Sequence, residues 1–308
     1  MPADVGRTRL ASLLDAATLP AFAACAIAAT WGAQRAGIPG FWVGTAALAP
    51  MVGLALLLER VRPEREEYRR LDLPVGHELG HFLLGNQAGA LAGYGAVVGL
   101  SSAGASLLSS RLHAPLWPSH WPLTIQVALA VFLGEGVSYW QHRLAHRSPW
   151  LWRFHAIHHS GGRLNLARAG RFHFVDVATA LFMAYLPPAL LGAPAIVFTW
   201  LAVVNGTLGV MQHANIRVRT PGWLDRVMCT PAVHRFHHSR EFREADGNFA
   251  TTFMVFDWLF GSYVRPEGPG PIAVGIENDP VARGFWRQMR GVVPGADASE
   301  AEKARATG

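Results

Sequence analysis

The sequence predicts an all-α fold, a polytopic membrane helical bundle that carries a histidine-rich helical cap on its cytoplasmic side. Hydrophobic residues make up 51% of the 308 residues and charged residues only 16%, against roughly 25% charged in an average soluble domain. The apolar residues form long uncharged runs, and most of the 14 histidines fall in a few short motifs. The net charge of +6 does not indicate nucleic-acid binding, because the arginines lie beside the apolar runs, where membrane topology explains them.

Five apolar runs predict the membrane helices, since a helix needs about 20 apolar residues to cross the bilayer. The first four runs are residues 16–34, 36–58, 82–110 and 121–141. The fifth, residues 177–212, would form a helix of roughly 54 Å, which is too long for one crossing of a hydrocarbon core about 30 Å thick. Pro187, Pro188 and Pro194 interrupt it, so a hairpin that enters the membrane and returns is predicted.

The arginines are unevenly divided between the connecting segments, and this predicts the orientation. Residues 59–72 contain five arginines and residues 142–174 contain six, whereas residues 35–40 and 111–120 contain one each. Because cytoplasmic loops carry the excess of basic residues, both rich segments, the N-terminus and everything after His213 are placed on the cytoplasmic side. His113 and His120 fall in the opposite loop and are expected to be ordinary surface histidines.

Four parts of the chain are predicted from this layout. They are a cytoplasmic N-terminal segment (1–15), membrane helices (16–134), a histidine-bearing domain (135–262) that includes the hairpin at about 177–212, and a C-terminal segment (263–308) with a disordered tail from about residue 296.

Nine histidines recur at spacings that bring imidazole rings together. They are His142 and His146 (HxxxH), His155, His158 and His159 (HxxHH), His234, His237 and His238 (HxxHH), and His213 alone after the hairpin. On a helix, positions i, i+3 and i+4 share one face, so each motif is expected to point its rings into one volume. A lone HxxxH arises often by chance, and one HxxHH beside a membrane is also compatible with a solvated face. Nine histidines on one side exceed what a single tetrahedral zinc needs and match two metals with four or five nitrogen ligands each.

The residues around these histidines resemble the motifs of the fatty acid hydroxylase/sterol desaturase superfamily. The segment 135–146 resembles its first box, an acid followed by YWxHRxxH, and the segments 154–160 and 234–239 resemble its second and last boxes. Gln212-His-Ala-Asn215 is similar to the isolated HxN element, and residues 248–261 to the NxG…WDxLFG signature. The motifs occur in family order across about residues 135–262.

Two departures from the family pattern affect candidate residues. Where the family often has RxHPxE, this chain has Phe174 in place of proline and Asp176 in place of glutamate, which leaves His173 open as an additional ligand. Ala250 replaces a common glycine and Phe256 a usual tryptophan, and neither position is a proposed ligand.

The resemblance implies a membrane-bound non-haem di-iron oxygenase that hydroxylates or desaturates a lipid-like substrate: a sterol, fatty acyl chain, carotenoid or ether lipid. It implies two iron ions held by the nine histidines, with Glu135, Asn215 and Asn248 as candidates to orient the rings. O2 would be the oxidant. The chain has no nucleotide-binding glycine motif, haem motif or cysteine cluster, so a separate ferredoxin, cytochrome b5-like or reductase partner would supply electrons. A bacterial inner membrane is the expected location.

Two other functions stay open. His77-Glu78-Leu-Gly-His81 is a complete HExxH, the pattern in which two histidines bind zinc and the glutamate acts as general base; beside a membrane helix it is similar to intramembrane site-2 metalloproteases. The later apolar runs, however, contain no aspartate to complete such a site. A non-enzymatic metal-binding membrane protein, such as a transporter, is the second alternative, but transport predicts polar residues within several spans.

Overall fold

The computed structural model describes residues 9–112, 116–266, 270–271, 273–281 and 284–291. In these residues the regular structure is helical, with isolated β-bridges but no β-strand. Four of these helices are long and apolar enough to cross a membrane: Arg9–Arg35, Trp42–Val61, Leu123–Arg147 and Ala195–His213. The predicted all-α membrane bundle is therefore confirmed. The tail from about residue 296 and His113 lie outside the described residues.

Residues 9–112 supply three long helices, two of which form a pair. Helices α1 (Arg9–Arg35) and α2 (Gly40–Val61) pack against each other. A short helix α3 (Val75–Gly80) continues through a π-helical turn, His81–Gln87, into α4 (Ala88–Leu112). Helix α1 begins at Arg9, earlier than the apolar run that starts at residue 16. The extra turns place buried Asp15 in an ion pair with Arg62 at the end of α2.

Helix α5 (Leu123–Arg147) and the hairpin α7–α8 complete the bundle. Helices α7 (Phe174–Leu190) and α8 (Ala195–His213) are joined by a turn in which Gly192 has φ 81°. Pro187 and Pro188 lie in the last turn of α7, and Pro194 caps α8. The two arms diverge: α7 packs on α4 and α5, whereas α8 packs on α2, α5 and α1. The hairpin thus connects α4 to the α1–α2 pair across α5.

Small residues allow α4 and α7 to approach closely. Gly85, Gly89 and Gly93 recur every four residues and face α7 and the residue before it. A Cβ at Gly89 would lie 2.6 Å from the carbonyl oxygen of Phe174, and one at Gly93 would lie 2.6 Å from that of Ala178. Such a stripe is typical of membrane helices, whose association depends on close backbone packing.

A cap of short helices and loops covers one end of the bundle, where α2, α5 and α8 end and α7 begins. It consists of residues 148–173 and 214–266, with helices α6 (Pro149–His159), α9 (Gly222–Val227), α10 (Pro231–His237), α11 (Phe242–Ala245) and α12 (Val255–Leu259). Helix α13 (Phe285–Met289) lies further along the chain.

Polar groups at the end of α2 and in the following linker tie the cap to the bundle. Glu59 accepts hydrogen bonds from the backbone N–H groups of Leu166 and Asn215, both at 2.7 Å. Asp72 binds the guanidinium groups of Arg163, at 3.1 Å, and of Arg168, at 2.8 Å. Burial lowers the pKa of Arg168 to about 9, and the carboxylate of Asp72 offsets part of the cost of burying this charge.

Candidate metal centre

The nine histidines of the boxes meet at the junction of the bundle and the cap, and they divide into two groups. Within each group, one ligand atom per residue lies within 4.8 Å of every other. The five-histidine group consists of His142, His146, His155, His159 and His237, and the four-histidine group of His158, His213, His234 and His238. All are buried except His146, which is half-buried.

The two HxxHH motifs are each shared between the groups. His155 and His159 belong to the five-histidine group, but His158 between them belongs to the other. In α10 the division is reversed, with His237 alone in the five-histidine group. The expectation that each motif serves one volume is therefore wrong for both HxxHH motifs. It is correct for the HxxxH pair on the last turns of α5.

Hydrogen bonds at Nδ1 leave the Nε2 atoms to face one another. His142 donates to the carbonyl oxygen of Phe249 at 2.7 Å, His237 to that of Gly247 at 2.8 Å, and His213 to that of Gly209 at 2.7 Å. A carbonyl oxygen can only accept, so Nδ1 carries the proton and Nε2 presents a lone pair. Those lone pairs converge in a buried space.

The spacing of the Nε2 atoms fits a bound transition-metal ion. In the four-histidine group, His213 Nε2 lies 3.1 Å from that of His158, 3.0 Å from that of His234 and 3.2 Å from that of His238. Nitrogen ligands about 2.1 Å from a metal are about 3.0 Å apart when they meet it at right angles. In the five-histidine group the His155–His142 and His155–His159 separations are both 3.1 Å. The Nε2 atoms of His146 and His237 are buried without any hydrogen-bond partner, as expected of atoms whose partner is a cation.

The electrostatics favour neutral rings. Burial, together with the neighbouring histidines, lowers the pKa values of five cap histidines well below their ordinary range: His158, His159, His234, His237 and His238. Only the neutral imidazole binds metal. The site is therefore prepared to bind cations without first losing protons.

Asp176 is the functional residue that reasoning from the sequence missed. Its Oδ2 accepts a hydrogen bond from His155 Nδ1 at 2.8 Å, and both side chains are buried. A carboxylate in this position fixes the ring and increases the basicity of Nε2. The signal was present, because Asp176 occupies the place of the motif's glutamate at the start of an apolar run.

Glu135 supports the site indirectly, through Thr251. Its carboxylate accepts hydrogen bonds from the backbone N–H of Thr251 at 2.6 Å and from the Thr251 hydroxyl at 3.1 Å. This holds the segment in which the Phe249 carbonyl binds His142. Asp257 holds the same segment, because it accepts from the N–H groups of Phe249 and Ala250.

His173, the candidate additional ligand, and the candidates Asn215 and Asn248 lie outside both groups. His173 accepts from the N–H of Val175 and donates to the carbonyl oxygen of Met289, so it caps α7. Asn215 pairs with both backbone groups of Arg65. Asn248, at φ 55°, pairs in the same way with Val264. All three secure backbone segments of the cap.

Glu78 and His81 of the HExxH motif are held by other residues of the protein, whereas Nδ1 of His77 is buried without a hydrogen-bond partner. Glu78 forms a buried ion pair with Arg171, and His81 Nε2 lies 2.6 Å from the side-chain oxygen of Gln288. Within the described residues, His77, Glu78 and His81 belong to no group of three potential metal ligands. A glutamate held by an arginine is poorly suited to act as a general base. The ion pair instead stabilises Arg171, whose carbonyl oxygen accepts from His158.

Comparisons with known proteins agree with the geometry. A family model described as fatty acid hydroxylase matches residues 127–262. The chain is 33% identical over 285 residues to ornithine lipid hydroxylase OlsE of Rhizobium tropici. The aligned residues cover 92% of this chain and 85% of the relative. It is 33% identical over 152 residues to alkylglycerol monooxygenase of Xenopus tropicalis, covering 49% of this chain and 32% of that protein. Methylsterol monooxygenase 2-2 of Arabidopsis thaliana is 28% identical over 158 residues, or 50% of this chain and 58% of the relative. No solved structure matches.

Proposed function

Because this chain belongs to the fatty acid hydroxylase/sterol desaturase superfamily, we propose that it hydroxylates a C–H bond of a membrane lipid at a di-iron centre held by the nine histidines. It is an oxidoreductase of a superfamily that acts on lipids with O2. The observation that carries the proposal is the convergence of two histidine groups at the end of helices long enough to cross a membrane. The names of the relatives, a hydroxylase and two monooxygenases, favour hydroxylation over desaturation.

Each group of histidines would hold one iron. Two iron ions there would supply the activation of O2 that an unactivated C–H bond requires. The protein's own part is to hold the rings neutral, to fix their orientation through Nδ1, and to keep the centre away from bulk water. Burial of eight of the nine histidines supports the last role, because water competes with substrate for a reactive oxidant.

Ornithine lipid is the first substrate to test. The similarity to the ornithine lipid hydroxylase extends over both the membrane helices and the cap. The similarity to alkylglycerol monooxygenase covers about half of this chain. A lipid substrate would reach the enzyme from the bilayer, so a relative that shares the membrane helices is the better guide to its identity. An alkylglycerol and a sterol are the next substrates to compare.

The cap is assigned to the cytoplasmic face of a bacterial inner membrane. The arginines of residues 59–72 and 142–174 lie at the cap end of the bundle, and basic residues are enriched on that side of a membrane. A separate ferredoxin, cytochrome b5-like or reductase donor would therefore meet the enzyme in the cytoplasm.

Iron content and lipid products together test the proposal. The protein is expressed in a bacterium that makes ornithine lipid, and the lipid extract is examined by mass spectrometry for the gain of one oxygen atom. We expect about two irons per chain, and we expect the double variant His158→Ala, His237→Ala, with one change in each group, to lose both iron and product.

The matched control is His120→Ala, because His120 is exposed in the loop before α5. It should retain both iron and product. A single zinc that survives the double variant but is lost in His77→Ala would refute the proposal and favour the protease. Iron without a change in ornithine lipid, alkylglycerol or sterol would refute the substrate assignment alone.

A further inference from the structure

We propose that Trp152 is the bridge through which electrons reach the histidine groups, and that the electron donor docks on the exposed face of α6 around it. This inference rests on the proposed function. Each hydroxylation consumes one O2, two electrons and two protons, and it yields the alcohol and one water. Two reduced one-electron carriers are therefore oxidised in each turnover, and each passes one electron into the centre.

The electrons have to cross the protein from outside. Cys25 and Cys229 are the only cysteines, too few for an iron–sulfur cluster, and the sequence contains no haem or nucleotide-binding motif. The histidines are buried, so a carrier cannot touch most of them. The point where a group approaches the surface is therefore the point of electron delivery.

Trp152 lies at that point. It is half-buried, and its indole ring centroid is 5.2 Å from that of His146, 5.7 Å from that of His159 and 6.2 Å from that of His155. Within the described part of the chain, no other tryptophan or tyrosine ring contacts a histidine of either group. His146, on which it packs, is also the one histidine of the nine that is not buried. Trp152 therefore packs where the five-histidine group comes nearest to solvent.

The surface around Trp152 suits an acidic carrier. Residues 136–175 contain six arginines and no acidic residue. Arg168 and Arg171 are buried, and these two and Arg163 pair with Asp72 or Glu78, so the basic charge near Trp152 comes from the arginines on α5 and α6. Arg153 is the next residue on α6, and Trp150, 60% exposed, lies two positions before Trp152 in the first turn of the same helix. Arg147, at the end of α5, is 42% exposed and pairs with Asp246, which offsets one of these charges. Aromatic residues with a basic rim would bind a carrier such as a ferredoxin, whose surface is negative.

Phe172 is the rival route and is less suitable. It stacks on His158 with ring centroids 4.0 Å apart, but it contacts one histidine of the site rather than three. Its segment is held by His81, which packs on Phe285, and Leu79 and Leu83 beside them are 53% and 56% exposed. That side presents apolar surface, which favours lipid over a soluble carrier.

The indole serves as a tunnelling bridge, and it is neither oxidised nor reduced when an electron passes. A carrier reducing enough to supply the centre is too weak an oxidant to remove an electron from the indole, so no tryptophan radical is formed. The side chain instead provides polarisable, close-packed matter between carrier and histidine. Its removal should slow electron transfer without affecting iron binding.

A ruthenium photosensitiser attached at position 150 tests the route without the natural donor. Trp150→Cys provides the attachment site, and Cys25→Ser removes the half-buried native thiol, while Cys229 is buried. The iron-loaded, labelled protein is illuminated with a sacrificial reductant, and the rate at which the metal centre is reduced is followed by absorbance and EPR. The readout is a reduction rate, independent of substrate turnover.

We expect Trp152→Ala to lower this rate at least about tenfold, with iron content unchanged, and Phe172→Leu to leave it within about twofold. The same label at Trp223→Cys, on α9, should reduce the centre more slowly than the label at position 150. If Trp152→Ala is as fast as its parent, or if Phe172→Leu is the slower variant, the proposed bridge is wrong. Equal rates from positions 150 and 223 would refute α6 as the delivery face.

Iron analysis separates this inference from the proposed function. A parent protein without iron would refute both, whereas iron and lipid product with an insensitive Trp152→Ala would refute the bridge alone. If Trp152→Ala loses iron, Trp152→Leu takes its place, since it fills much of the space against His146 without an aromatic ring. A rate at least about tenfold below the parent's supports the bridge, and a rate equal to the parent's overturns it.

Discussion

Asp176 gives a direct test of how the histidine site is held, because its carboxylate is the charged acceptor on a clustered ring. Asp176 Oδ2 and His155 Nδ1 are 2.8 Å apart, and the two side chains are only 6% and 5% exposed. Outer partners of this kind typically contribute 10–100-fold in metal affinity or activity. This range corresponds to about 1.4–2.7 kcal/mol of binding free energy.

Two substitutions at this position should bracket that range. Asp176→Asn retains an oxygen that can accept from His155 but removes the charge, so we expect about a tenfold loss of iron affinity. Asp176→Ala leaves a buried N–H without an acceptor, which costs about 1–3 kcal/mol more. We therefore expect the alanine variant to lie at or beyond the hundredfold end.

Anaerobic titration of Fe²⁺ against a chromophoric chelator measures these affinities in detergent. Glu241→Gln is the control, because Glu241 is exposed in the cap and contacts no histidine of either group. The reasoning fails if both Asp176 variants bind iron as tightly as the parent protein. It also fails if the asparagine variant binds more weakly than the alanine variant, since the hydrogen bond would then contribute nothing.

Three further predictions concern stability. Gly89→Ala places a Cβ against the backbone of α7 and should lower the free energy of unfolding by about 1–3 kcal/mol. Gly95→Ala, on the open face of the same helix, should be neutral or stabilising. Thermal unfolding in detergent compares the two variants, and equal midpoints would contradict the close packing. In the metal-free protein, the unfolded chain binds protons that the five cap histidines of lowered pKa do not, so the unfolding midpoint should fall as the pH drops below about 6.5; a constant or rising midpoint would show that these rings are not buried as neutral groups. Asp72→Ala removes the carboxylate partner of buried Arg168 and should lower the free energy of unfolding by about 3–5 kcal/mol. Denaturant unfolding measures this loss beside the milder variant Asp72→Asn, and a much smaller loss in Asp72→Ala would contradict the prediction.

The membrane helices could be predicted because apolar length is a local property of the sequence. The ends of the helices were less predictable: residues 9–15, which precede the first apolar run, are helical, and Asp15 within them pairs with Arg62, a contact between residues far apart in the chain. The same limit applies around the histidines. The carbonyl groups of Phe249 and Gly247 are common to every residue type, so no side chain marks them as the acceptors that orient His142 and His237.

The contacts of the polar candidate residues were also hard to predict, because they depend on tertiary structure. An acid within an apolar segment marks Glu135 as a candidate. It does support the site, but its carboxylate binds Thr251 rather than a histidine ring. The motifs mark Asn215 and Asn248 as candidates, but their side-chain amides form hydrogen bonds with backbone groups of the protein instead. An amide or carboxylate can bind whatever lies beside it, and only the tertiary structure decides what that is.

The division of the histidines into five and four follows from helix geometry, and the spacing already contains it. Successive residues on an α-helix are about 100° apart around the axis, since one turn takes 3.6 residues. Neighbours such as His158 and His159 therefore cannot aim at one ion, whereas positions i and i+4 differ by only about 40°. An HxxHH motif thus presents two rings to one site and one ring to another.

Two such motifs can be used in opposite senses, as α6 and α10 are. Helix α6 gives two rings to the five-histidine group and one to the other, and α10 gives one and two, so the motifs contribute three rings to each. The HxxxH pair, itself i and i+4, adds two rings to the first group, and His213 adds one to the second. The doubled histidine, rather than the number of histidines, is therefore the feature of this sequence that specifies two adjacent histidine groups instead of one.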